Sequence, residues 1–148
     1  MLNDTKELIQ EKILDGLKIK KDDIINIQKR GDDVLVHVTS DAFKLISPNL
    51  SKIVEIDTRG VMVTCQAPDD SPYDFFSRFF APKCGIDEDP VTGSAHCALA
   101  PYWAQILKKN SMFARQTSSR GGDVHVEVQG SRVIILGSAV FTLRGHLL

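Results

Sequence analysis

The chain has 148 residues, of which 43% are hydrophobic and 25% charged: enough to bury a core, and too apolar for disorder. A formal net charge of −1 excludes the basic excess of a phosphate-backbone footprint, so no nucleic-acid partner is expected. No apolar run is long enough to cross a bilayer, and the start, "MLNDTKELIQEKIL", lacks the apolar core of a signal peptide, so the expectation is a cytoplasmic protein with no membrane partner.

Residues 4–17, "DTKELIQEKILDGL", are expected to form a helix with Leu8, Ile9, Ile13 and Leu17 on one side and charges on the other, weakened near its end by Gly16. The runs 24–29 and 34–39 flank "RGDD" and predict a hairpin. Ser40 or Asp41 is expected to cap a short helix over "DAFKLIS", which Pro48 ends. Residues 60–66, "GVMVTCQ", and 74–80, "DFFSRFF", read as strands separated by the turn cluster "APDDSP".

The strongest later helix spans Gly93 to Lys108. It is apolar on nearly every side, which predicts that most of its side chains are inaccessible. Pro101 lacks an amide hydrogen and predicts a kink or a broken turn. The remainder reads as strands at 113–118, 123–128, 132–136 and 139–144, separated by Gly-containing turns. The expected architecture is α+β, one domain over 1–148, with a mostly antiparallel sheet curled around a central buried helix.

Cys65, Cys84 and Cys97 are odd in number and form no CxxC, so neither a disulfide framework nor a zinc site is indicated. Cys84 and Cys97 read as small apolar fillers. His37 and His125 fall mid-strand, as exposed or structural residues. His96 lies two residues after Ser94 and is either a pocket residue or a satisfied core histidine. No His, Asp and Glu spacing points to a metal. Trp103 and Phe79 read as core.

The chemistry concentrates in "FFAPKCGIDEDPVTGSA". Acids at 87–89 precede Pro90 and a Thr92-Gly93-Ser94 turn that opens a helix. The first amide hydrogens of a helix lack internal partners, and its dipole places partial positive charge there. Such an end binds a carboxylate, and a carboxyl group beside it, here Asp89, suits general acid/base work. The plainer reading stays open. Acids near a helix start stabilise it by a few tenths to about 1 kcal/mol, and Thr92 or Ser94 could be a simple cap. The segment matches neither GxGxxG nor a P-loop.

"RFFAPKCGIDEDPVTGSAH" resembles the second-half signature of the PhzF-like proteins, within the diaminopimelate epimerase-like superfamily. The resemblance continues through "YWAQIL" and "SSRGGDV" to the C-terminus. It implies two similar halves, each a sheet curled around a helix, with the active site between them. It also implies isomerase chemistry without a cofactor, by proton removal and return beside a carboxylated carbon. Carried across, Asp89 matches the aspartate that assists proton transfer, and Gly93 and Ser94 match the carboxylate-binding turn, with Thr92 beside them. Arg120 and Gly121 either reach the ligand carboxylate or form a strand-connecting turn. The family's main base, a glutamate of the other half, has no match here. The racemase branch that uses thiols places a cysteine where this chain has Asp89-Pro90-Val91. The expectation is a lobe that binds a small carboxylate-bearing substrate and works with an N-terminal lobe or as a homodimer. A non-catalytic binding or regulatory lobe and an inactive truncated product are the alternatives.

Overall fold

A computed structural model describes residues 2–146 of the chain, with side chains from residue 8 onward. Helix α1 spans Leu2–Leu17. Ile13 and Leu17 are buried while Leu8 is exposed, so the apolar stripe is narrower than the sequence implied. The charged side chains before residue 8 lie outside the described residues. A hairpin of β1 (Ile24–Arg30) and β2 (Asp33–Val38) follows. Next come α2 (Ser40–Leu45), α3 (Leu50–Ile53), β3 (Gly60–Gln66) and β4 (Phe75–Phe80). Helix α4 (Gly93–Leu107) precedes β5 (Ser111–Gln116), β6 (Gly122–Gln129) and β7 (Arg132–Leu136). Thr39 caps α2, its hydroxyl accepting from the Ala42 amide at 3.3 Å, in place of the expected Ser40 or Asp41.

The seven strands form one sheet in chain order. Four of the six neighbouring pairs are antiparallel, and two, β2–β3 and β4–β5, are parallel. The sheet is thus mostly antiparallel, as expected, although the two parallel pairs were not located from the sequence. A parallel step needs a crossover. The first crossover carries α2 and α3 and the second carries α4; α3 has only four residues, too few to show as a period. No strand forms at 139–144. Val140, Phe141 and Leu143 are exposed there, because strand composition without a paired neighbour does not hold a strand.

Alternation along β2, β3 and β4 divides the interior in two. Val34, Val36, Val61, Val63 and Phe80 face α1–α3. Leu35, Met62, Phe75 and Phe79 face α4. On that side the Trp103 indole donates to Thr64 Oγ1 of β3 at 2.9 Å, while Val133 and Ile135 of β7 pack on the same cluster. A flat sheet would put β3 and β7 about 19 Å apart, wider than a helix of about 10–12 Å. The sheet therefore curls around α4.

Only one side of α4 is enclosed. Ala95, His96, Leu99, Ala100, Tyr102 and Trp103 are the buried six of its 15 residues. Ser94, Cys97 and Gln105 are exposed, so the expectation of an inaccessible helix is corrected to a half-enclosed one. Cys84 is exposed as well, so neither it nor Cys97 is a core filler. The helix runs through Pro101 without a break. Pro101 is half-buried, one turn from exposed Cys97 and Gln105.

Two histidines are enclosed without charge. His37 lies on β2, its Nδ1 2.8 Å from the Tyr102 hydroxyl, and burial lowers its pKa from 6.5 to about 4. Burial also lowers that of His96. Between these values the unfolded chain binds protons that the fold refuses, so stability rises with pH across the window. It is fully present above about pH 6.5 and declines as pH falls toward 4. For His37 alone the loss is about 3 kcal/mol. Urea midpoints at pH 7 and pH 4.5 should show this fall, and His37→Asn should flatten part of it. Equal slopes in the two proteins would place the proton elsewhere.

Candidate active site

Strand β4 ends at Phe80, and the chain folds back on itself. Ala81 and Ile86 pair, and the Asp89 amide donates to the Phe79 carbonyl at 2.9 Å. Glu88 accepts two bonds from Arg78, at 2.7 and 3.0 Å. Of the three acids, Asp87 is exposed, Glu88 anchors the loop, and Asp89 alone turns to the start of α4.

Thr92 is the N-cap, with the extended backbone (φ −111°, ψ 103°) of that position, but its side chain makes no cap bond. Its hydroxyl instead donates to Asp89 Oδ2 at 2.6 Å. The simple-cap reading of Thr92 is thereby answered. A cap would have satisfied one of the first helix amides. Here the amides of Gly93 and Ser94 have no protein partner among the described residues, and both residues are exposed. Partly exposed Asp89 sits four and five residues before them. Dipole, free donors and a carboxylate thus share one corner of the molecule.

The loop after β5 closes the other side. Ser118 Oγ donates to the Pro90 carbonyl at 2.8 Å and accepts the Gly121 amide at 3.0 Å. Gly121 has φ +69°, and a Cβ on Gly122 would lie 2.3 Å from Val91 Cγ2. The two glycines let this loop close against residues 90–92. Arg120 is exposed at its tip, and no protein acceptor is bonded to it among the described residues.

His96 is fully buried. Its Nδ1 lies 2.8 Å from the Thr92 carbonyl. A carbonyl only accepts, so Nδ1 carries the hydrogen, which leaves Nε2 as a buried acceptor without a partner among the described residues. His96 thus braces the turn from beneath. A cavity of about 330 Å³ lies on the opposite face of the sheet, lined by Phe43, Lys44, Cys65, Phe76 and Arg78 among others. Its chemistry is poor. Arg78 is held by Glu88 and by the Ile46 carbonyl, and burial pushes the Cys65 thiol up to about 12.

A sequence model of the phenazine biosynthesis-like proteins (PhzC–PhzF) matches residues 2–145. The chain belongs to the PhzC–PhzF family. It is 44% identical over 137 residues to the uncharacterized isomerase BH0283 of Halalkalibacterium halodurans, covering 92% of this chain and 50% of that protein. It is 46% identical over 117 residues to the uncharacterized isomerase PA3578 of Pseudomonas aeruginosa, covering 78% of this chain and 44% of that protein. The crystal structure of a PhzF family protein from Enterococcus faecalis is similar at a TM-score of 0.75 and 36% identity, covering 84% of this chain and 46% of that one. The chain thus spans about half the length of these relatives. The curled α+β sheet is similar to the matched part of that solved family member.

Three residues at the site escaped the sequence reading. Gln116 bonds to Asp89 and Thr92, Ser118 to Pro90, and Arg59 to Ser94 Oγ at 3.2 Å. Arg59 also forms a two-pronged pair with buried Asp33, its Nε lying 2.9 Å from Oδ1. Gln116 and Arg59 belong to no local pattern and arrive from distant parts of the chain, while Ser118 opens the "SSRGGDV" stretch without a role of its own in the sequence.

Proposed function

We propose that this chain is one lobe of a PhzF-like isomerase that moves a proton beside the carboxylate of a small acidic metabolite. Asp89 is the acid/base group. The Gly93 and Ser94 amides, flanked by Thr92, receive the carboxylate, with Arg120 and Gly121 closing over it. The observation that carries this reading is the Thr92 hydroxyl, which bonds Asp89 and leaves the helix amides uncapped. A stabilising cap has been given up at a place where free donors and a carboxylate meet. The proton moves between protein groups and substrate, with no cofactor.

A proton leaving one face of a carbon and returning elsewhere needs a second group. The uncovered side of α4 beside Ser94 leaves room for another lobe, contributed by an N-terminal half or by a second copy in a twofold dimer. Titration of the purified chain with acetate, followed by amide NMR, should move Gly93 and Ser94 first and most. Shifts confined to other amides would refute the carboxylate turn.

A single observation also favours a second reading. Among the described residues Asp89 is bonded to Thr92, Gln116 and Phe79 and to no second acid or base, so a lobe that binds carboxylates without turning them over is the alternative. It predicts the same amide shifts and no proton exchange in any pairing.

A further inference from the structure

We infer that Gln116 is a positioning residue that holds Thr92 out of its capping rotamer and fixes which oxygen of Asp89 can carry a proton. The inference rests on the reading that the start of α4 receives a carboxylate. Gln116 is the last residue of β5 and is fully buried. Its Oε1 accepts the Thr92 amide at 2.8 Å. Its Nε2 donates to the Asp89 carbonyl at 2.6 Å and to Thr92 Oγ1 at 3.1 Å.

The amide cannot be reversed. An N–H donor faces one end and a carbonyl oxygen the other, so only one orientation satisfies both. Thr92 Oγ1 therefore receives a hydrogen from Gln116, and its own hydrogen goes to Asp89 Oδ2. Two consequences follow. The hydroxyl, held from both sides, does not swing to accept a helix amide. And Oδ2 is an acceptor, so a proton on Asp89 sits on Oδ1, which no donor reaches among the described residues.

Removing the side-chain donor reverses the first consequence. In Gln116→Met, of similar length, the Thr92 hydroxyl is free to rotate and cap α4 through the Ser94 or Ala95 amide. The competing cap should weaken the acetate response of Gly93 and Ser94 about fivefold. Thr92 χ1, read from three-bond couplings, should change. Adding Thr92→Val to Gln116→Met removes the competing hydroxyl and should restore the acetate response, which a merely structural role for Gln116 would not do. Should Gln116→Met fail to fold, Gln116→Leu serves in its place, since it likewise has no donor for Oγ1.

Unchanged Thr92 χ1 and unchanged acetate response in the variant would overturn the inference. If wild-type Gly93 and Ser94 never respond to acetate, the carboxylate reading fails by itself. Thr92 χ1 in the variant then still decides the role of Gln116.

Discussion

Trp103→Ala should cost about 3–5 kcal/mol, the range for deleting a buried aromatic side chain. Trp103 is completely enclosed. Its ring stacks on Phe75 with centroids 5.5 Å apart and planes within 9°, and His37 packs edge-on at 4.7 Å. Truncation opens a cavity in the cluster that joins α4 to the curled sheet. It also removes the only indole in the chain, which donates to Thr64 Oγ1. Thr64 remains satisfied, because its hydroxyl donates to the Phe76 carbonyl at 2.7 Å, so the loss is mainly one of packing. For a domain of this size the melting temperature should drop by roughly 10 °C. Trp103→Phe should recover more than half of that. Urea unfolding followed by far-UV circular dichroism tests both. A loss under about 1 kcal/mol for Trp103→Ala would mean that the sheet does not close around this residue.

The legible parts of this chain were those in which one residue's surroundings repeat along the sequence. The apolar runs from Val34 to Val36 and from Val61 to Val63, set between turn residues, placed the strands, while their two faces emerged only in the fold. The run from Ala95 to Trp103 was apolar enough to mark a core helix, but composition could not tell that Cys97 and Gln105 lie on an uncovered side. The β2–β3 parallel pair was hidden because four-residue α3 in its crossover leaves no period to read. Within the site, residues 89 to 94 were visible because six chemically loaded positions are adjacent in sequence. Gln116 was invisible. A single glutamine at a strand end looks like a polar surface residue, and only the fold brings it to Thr92, 24 positions away. Arg59 was hidden for the same reason, 35 positions from Ser94.

Asp89→Asn should lower proton exchange by about 10²–10⁴-fold, the usual contribution of a positioned acid/base group. Asparagine matches aspartate in size and still accepts the Thr92 hydroxyl through its amide oxygen, so the turn and its acetate response should survive. What it lacks is an oxygen that can gain and release a proton. The measurement is mass gain from solvent deuterium in a panel of small 2-substituted carboxylic acids. It is made on the chain alone and on the chain mixed with the half of BH0283 that this chain does not match. The lone chain should be nearly inactive, because one carboxyl group cannot serve two positions on a substrate. The mixture should exchange, and Asp89→Asn should abolish most of that gain while amide NMR shows acetate still moving Gly93 and Ser94. That pairing of results separates lost chemistry from lost binding. Exchange that persists undiminished in Asp89→Asn would remove Asp89 from the mechanism. Binding at Gly93 and Ser94 with no exchange in any pairing would instead leave a carboxylate-binding lobe, in which Asp89 serves only to hold Thr92 away from the cap.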